Sequence, residues 1–170
     1  MKDWLHHDLN VALDAPIKSM PSTRGALVLI ALVWQFAVGR ARRWQKRDIT
    51  GDGVDETFCN FFAVAVATAM GVLLPQRRAN ELADWLASDE AKDAGWERVD
   101  RHIAQRMADE GMLAMAVWKN PKGGSGHIAP LVPALDQPGT WIAQAGAVNF
   151  DRGLLEQGFG PNIPEFFAHP

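Results

Sequence analysis

Cys59 is the only cysteine in this chain of 170 residues, and it stands in Asp55-Glu-Thr-Phe-Cys59-Asn60, directly before an apolar stretch of helical spacing. A thiol at a helix start faces unpaired N–H groups and the positive end of the helix dipole, and both favour thiolate. Downstream, Lys122-Gly-Gly-Ser-Gly126 leads into His127 and the β-like run Ile128-Ala-Pro-Leu-Val132. An imidazole at the rigid edge of a strand can take a thiol proton, so Cys59 and His127 read as nucleophile and general base. The other histidines fit less well. His6 and His7 lie in a polar leader, His102 on a charged helix, and His169 next to the terminus. The bland reading of a lone cysteine is a small core residue. Its position at a helix start, the polar turn before it and Asn60 after it favour the nucleophile.

A third polar group usually orients a catalytic imidazole. Gln144, in Trp141-Ile-Ala-Gln144-Ala-Gly146, is an otherwise unexplained amide in an apolar strand, and Asn149 on the following loop is the alternative. A solvent-facing or barrel-facing amide is the structural reading of Gln144. Asn60, Trp118, Gly126 and Asn149 are the expected substrate contacts, Gly126 because a glycine turn lets backbone come close to a ligand.

The turn before the cysteine offers oxygen ligands at Asp48, Thr50, Asp52 and Asp55, with Gly53 in the glycine position of a calcium loop. The twelfth position is Cys59 where a glutamate is needed, which excludes a complete EF-hand. An irregular calcium site beside the nucleophile and a plain solvated turn are the two readings left. No Cys/His set has zinc spacing, and no phosphate-binding or dinucleotide glycine motif is present.

These residues need elements to hold them. Ser22 is the expected cap of a helix over residues 24–46, whose basic end (Arg40, Arg42, Arg43, Lys46, with Arg47 following) would complement the helix dipole. A second helix is expected over 57–70 with Gly71 as its stop, burying Phe58, Phe62, Ala65 and Ala69 and turning Cys59, Ala63 and Val66 to the neighbouring face. Helices over 79–88 and 97–110 follow. Residues 112–119, 127–133 and 140–145 are short apolar runs between turn residues and read as consecutive antiparallel strands. The tail from 149 to 170 is expected to pack back across the sheet. Helices first and strands later indicate an α+β fold.

The length suits one domain with a real core, residues 1–47 being a helical extension packed on it. A formal net charge of −3 gives no global drive toward nucleic acid or an acidic membrane surface. The apolar run 26–38 spans only ~20 Å as a helix, against roughly 30 Å of hydrocarbon, so a buried helix is expected and not a membrane anchor. Residues 1–24 carry mixed charge with Pro16 and Pro21, unlike a secretory leader.

Thr57-Phe-Cys59-Asn60-Phe, the Ala-Asn80-Glu-Leu helix, Trp118-Lys-Asn-Pro, Gly126-His127-Ile-Ala, Ile142-Ala-Gln144-Ala-Gly and the closing Phe-Phe-Ala-His169 occur in this order. The set resembles peptidoglycan-cleaving members of the papain-like superfamily, among them CHAP-type phage lysins and the amidase effectors of bacterial type VI secretion. The match covers about residues 57–147. The resemblance implies a papain-like fold and a monomeric amidase or endopeptidase acting on the peptide stem of the bacterial cell wall. It also implies synthesis in the cytoplasm and delivery to the wall by lysis or a secretion machine. By the same analogy Cys59 attacks the amide carbonyl, His127 moves the proton, and Gln144 matches the third polar position. No cofactor is required on this reading. CHAP enzymes often hold calcium in an acidic turn just before the cysteine, and Asp52 and Asp55 match that turn loosely. Two other classes are weighed against it: a non-catalytic phage or secretion-system structural or binding protein with a buried thiol, and a protein-directed cysteine protease.

Overall fold

The computed structural model describes residues 16–170. His6 and His7 lie outside the described residues, as does the start of the N-terminal extension. The chain is α+β. Among the described residues it forms helices α1 (Ala26–Trp34), α2 (Cys59–Ala69), α3 (Ala79–Leu86), α4 (Asp89–Asp93), α5 (Arg101–Asp109) and α6 (Leu155–Phe159). The strands are β1 (Glu97–Val99), β2 (Leu113–Trp118), β3 (His127–Pro130), β4 (Trp141–Ala145), β5 (Asn149–Leu154) and β6 (Glu165–His169).

Four strands form one antiparallel sheet in the order β1-β6-β2-β3, and β4 and β5 form a second antiparallel pair. A bridge between Leu131 and Ile142, with the Val132 N–H on the Trp141 carbonyl at 2.9 Å, ties the second pair to the free edge of β3. The C-terminal segment does more than cover the sheet. Strand β6 lies inside it, pairing Phe167 with Arg98 on one side and with Met115 on the other. Residues 97–99, expected at the start of a helix, are therefore strand. Val99 faces Phe166 across the pairing, and the helix begins only after Asp100, at Arg101. The expected helix over 79–88 stops at Leu86. Ser88 caps the short α4, its hydroxyl accepting from the Ala91 N–H at 3.4 Å.

Helix α2 is the centre of the core. It packs against β3 and β4, and all of its residues except Val64 and Thr68 are buried. A helix that is apolar on every side belongs inside a protein, and its run of alanines lets neighbouring elements approach closely. It ends where expected, with Gly71 in the left-handed region at φ +69.

The long helix expected over 24–46 does not form. Gly25 occupies its N-cap position, Ser22 lies in the 3-10 turn Pro21–Thr23, and α1 stops at Trp34. One contact and one backbone conformation explain the break. The Trp44 indole N–H donates to the Phe36 carbonyl at 2.9 Å, and Ala37 takes a positive φ of 46, so the chain doubles back on itself. Trp44 is then fully buried and meets Phe36 and Phe62 edge to face, at centroid distances of 6.3 and 5.4 Å. An aromatic cluster has more to gain from burial than an exposed helix has from extra turns. Arg40, Arg42, Arg43 and Lys46 consequently sit on exposed turns, not at a helix end, and the dipole explanation for them fails. Gln35 ties the start of the described chain to α1, because its carboxamide accepts from the Ile17 N–H and donates to the Ile17 carbonyl, both at 2.9 Å. Among the described residues no helix is long and apolar enough to cross a membrane.

Candidate active site

Cys59 is the first residue of α2, so its N–H has no acceptor within the helix. Its side chain is 4% exposed, more enclosed than a nucleophile on an open turn would be, yet it lines a cleft of about 630 Å³. The cleft walls come from three segments: Ile49 and Thr50 with residues 54–61, the start of α3 (Arg78 to Glu81), and the glycine loop Gly123 to Gly126.

His127 is the first residue of β3, set opposite Trp118 of β2 in the hairpin register. That register and the packing of β3 on α2 bring the imidazole to the thiol. Burial pushes the Cys59 pKa up, but the hydrogen bond and charge of His127 outweigh it. With the N–H groups of Ile128 and Asn60 helping, the thiol ends below its ordinary range. The imidazole mirrors it: burial pushes its pKa down, and the bond and charge of Cys59 together with Gln144 bring it above its ordinary value. The pair is held toward thiolate and imidazolium, the form in which sulfur is the stronger nucleophile.

Gln144 is the third group. Its Oε1 lies 2.8 Å from His127 Nε2, and its own Nε2 donates to the Val148 carbonyl at 2.7 Å. The second bond fixes which end of the carboxamide faces the ring. Oxygen can only accept, so His127 Nε2 carries the proton and Nδ1 is left for the thiol. Gln144 is 2% exposed, which removes the reading of a solvent-facing amide. A register shift in the β4–β5 pairing falls between Ile142 and Gln144, the kind of irregularity that re-aims a side chain.

The expected substrate contacts divide. Asn60 lines the cleft, but its Nδ2 is committed to the Arg77 carbonyl at 2.8 Å, so it also anchors the segment before α3. Gly126 lines the cleft too, although the space above its Cα is taken by the Asn80 carboxamide and the Trp118 carbonyl, not left open for a ligand. Trp118 is half-buried behind His127 and is absent from the cleft lining. Asn149 donates to the Trp44 carbonyl at 2.7 Å and holds the N-terminal turn, so it neither orients the imidazole nor lines the cleft.

The acidic turn gathers Asp48, Asp52 and Glu56, with carboxylate oxygens within 4.8 Å of one another; Thr50 and Asp55 are not of that group. All three carboxylates bond backbone. Asp48 accepts from Gly51 and Gly53 at 2.5 and 2.8 Å, Asp52 from Val54 at 2.9 Å, and Glu56 from Ile49 at 2.8 Å. The bonds from Gly53 and Gly51 hold the Asp48 carboxyl below the usual range. This is the geometry of a turn closed on its own carboxylates.

Four residues of the site have roles that the sequence reading does not assign. Asn80 ties α3 to the glycine loop, accepting from the Asn120 N–H at 2.9 Å and donating to the Gly124 carbonyl at 2.8 Å. Phe159 meets the imidazole edge to face at 4.7 Å. A Cβ on Gly158 would run into Gln144 Oε1, and one on Gly146 would come within 3.1 Å of His127 Cε1. The only signal for the two glycines is the glycine content of the segments after β4. No protein-family model matches this chain, and no curated protein sequence matches it.

Proposed function

We propose that the chain is a cysteine-dependent amide hydrolase of the papain-like kind, acting on the peptide stem of bacterial peptidoglycan. The observation that carries the reading is the run of contacts Cys59–His127–Gln144, of which Cys59 lines the cleft, with the thiol pKa lowered and the imidazole pKa raised from their ordinary values. An ordinary buried core cysteine would have a raised pKa and no imidazole beside it. That difference disfavours the non-catalytic binding protein.

On this mechanism Cys59 Sγ attacks the amide carbonyl carbon, and the negative charge moves to the carbonyl oxygen. The Cys59 backbone N–H, free at the helix start, is the oxyanion donor we assign. His127 gives its proton to the departing nitrogen, the C–N bond breaks, and an S-acyl enzyme remains. Water then attacks that thioester, losing its proton to His127, and thiolate leaves as the carboxylic acid forms. Gln144 keeps the ring upright and Nε2 protonated throughout. No step needs a metal. The choice of cell wall over protein as substrate rests on the resemblance of the motifs around Cys59, His127 and Gln144 alone.

The test is mass spectrometry of purified cell wall after incubation with wild type and Cys59→Ala. New amine and carboxylate termini in the stem with wild type only support the reading. An unchanged wall combined with cleavage of an unfolded protein substrate would move the assignment to a protein-directed protease.

A further inference from the structure

The charges around the cleft are distributed in a way the mechanism does not use. Among the described residues Arg78 is its only cationic lining residue, against Asp55, Glu56 and Glu81. Arg78 takes part in none of the ion pairs among the described residues, which are Lys92–Asp89, Arg98–Glu165, Arg101–Glu156 and Lys119–Asp84. Its backbone is fixed: the Arg78 N–H donates to Glu81 Oε2 at 2.9 Å, which closes the start of α3. Glu56 is fixed likewise through the Ile49 N–H at 2.8 Å. The charged groups therefore stand on two backbone-anchored segments that border one cleft, whose lining also includes the thiol.

We propose that this cleft selects a zwitterionic peptide, one substrate carboxylate pairing with Arg78 while an ammonium group of the same substrate faces Asp55 and Glu56. The inference rests on the amide-hydrolase reading for its location and adds the substrate's charge pattern. A guanidinium offers a planar fork that matches a carboxylate in two bonds, and no carboxylate among the described residues fills it. A ligand carrying only negative charge would meet three carboxylates, and one carrying only positive charge would meet Arg78. A ligand with both charges satisfies both segments, and neutral peptides are disfavoured because they leave them unpaired.

The probe is the blocked peptide acetyl-L-Ala-γ-D-Glu-L-Lys-D-Ala-amide, whose only charges are the glutamate α-carboxylate and the lysine ammonium. Binding to Cys59→Ala is measured by calorimetry for this peptide and for forms with the carboxylate amidated, the lysine acetylated, or both. The doubly charged form should bind about tenfold tighter than either singly neutralised form, and the advantage should shrink with added salt. Arg78→Gln should erase the penalty for amidation and keep that for acetylation, and Asp55→Asn, which leaves Glu56 in place, should shrink the penalty for acetylation and keep that for amidation. Equal binding of all four forms, no binding of any, or an amidation penalty that survives Arg78→Gln overturns the inference. Digestion of purified cell wall by wild type runs in parallel. Charge-dependent binding with no digestion would overturn the hydrolase and leave the charge recognition standing.

Discussion

His127 donates from Nε2 to Gln144 Oε1 at 2.8 Å, and the same carboxamide donates to the Val148 carbonyl at 2.7 Å, so the ring is oriented by a side chain that is itself anchored. General acid–base catalysis contributes roughly 10²–10⁴-fold. His127→Ala should lose activity on that scale, and Gln144→Ala only about tenfold, because orienting a base matters less than supplying one. Gln144→Glu is the sharper variant. A carboxylate beside the imidazolium raises its pKa further, so the alkaline limb of the pH–rate profile should move to higher pH. A profile identical to wild type would show that the amide does not govern the ring.

The opposed pKa directions of the pair predict the pH dependence of Cys59 alkylation. The folded thiol titrates below its ordinary value of about 8.5, so iodoacetamide should react at lower pH than it does with a free thiol, with an acid limb where thiolate is lost. His127→Ala removes the partner and leaves the burial, and the limb should then move above the ordinary value. Reactivity in wild type that rises only near the free-thiol range would contradict the thiolate–imidazolium pair.

The Cys59–His127 pair is legible in the sequence because its signals are local. A cysteine before a helical run and a histidine after a glycine turn each announce their position through neighbours. Gln144 is legible as a polar residue with no reason to be in an apolar strand. What cannot be read depends on distant contacts. The helix expected over 24–46 is broken by Trp44 folding back on Phe36, and no periodicity in that segment encodes a partner that lies on α2, Phe62. Residues 97–99 look helical by pattern, and they are strand because β6, some 70 residues later, supplies their hydrogen bonds. The roles of Asn149 and Gly158 follow from those same long-range pairings, so a local reading assigns the first to the wrong place and overlooks the second.

Gly158 tests the packing behind Gln144. A Cβ there would meet Gln144 Oε1 and lie 2.6 Å from Ile142 Cδ1, and both are buried groups with little room to yield. Gly158→Ala should therefore lower kcat by displacing the carboxamide, with Cys59 still alkylated. The chemical shift of the His127 ring protons should move with it. An unchanged imidazole spectrum would mean that α6 shifts as a body and leaves the site intact.

The acidic turn can be separated from any ion by asking what holds it. Asp48 accepts from both Gly51 and Gly53, and its carboxyl is held below the usual range by those bonds. A group with a depressed folded pKa contributes stability above its unfolded value of about 3.9 and loses it as pH falls through the folded value. Asp48→Ala should lower the melting temperature at neutral pH with chelator present, and the difference from wild type should narrow on acidification. If calcium also binds, adding it should raise the wild-type melting temperature and leave Asp48→Ala unmoved.

Trp44 connects the N-terminal turn to the rest of the molecule. Its indole N–H bonds Phe36, its ring packs on Phe62 of α2, and its carbonyl accepts from Asn149 of β5. Truncating a fully buried tryptophan costs about 3–5 kcal/mol, a large share of the stability of a single domain. Trp44→Ala should unfold at much lower denaturant concentration, and Trp44→Phe, which keeps an aromatic ring but not the N–H, should fall between it and wild type. Phe62 shares α2 with Cys59, so alkylation of the folded Trp44→Phe protein should also lose part of its pH selectivity. Removal of residues 1–47 would take the same ring out and uncover Phe62, and that fragment should aggregate. A fragment that stays monomeric, with Cys59 alkylated over the same pH range as in the full chain, would show that α2 keeps its place without Trp44 against it.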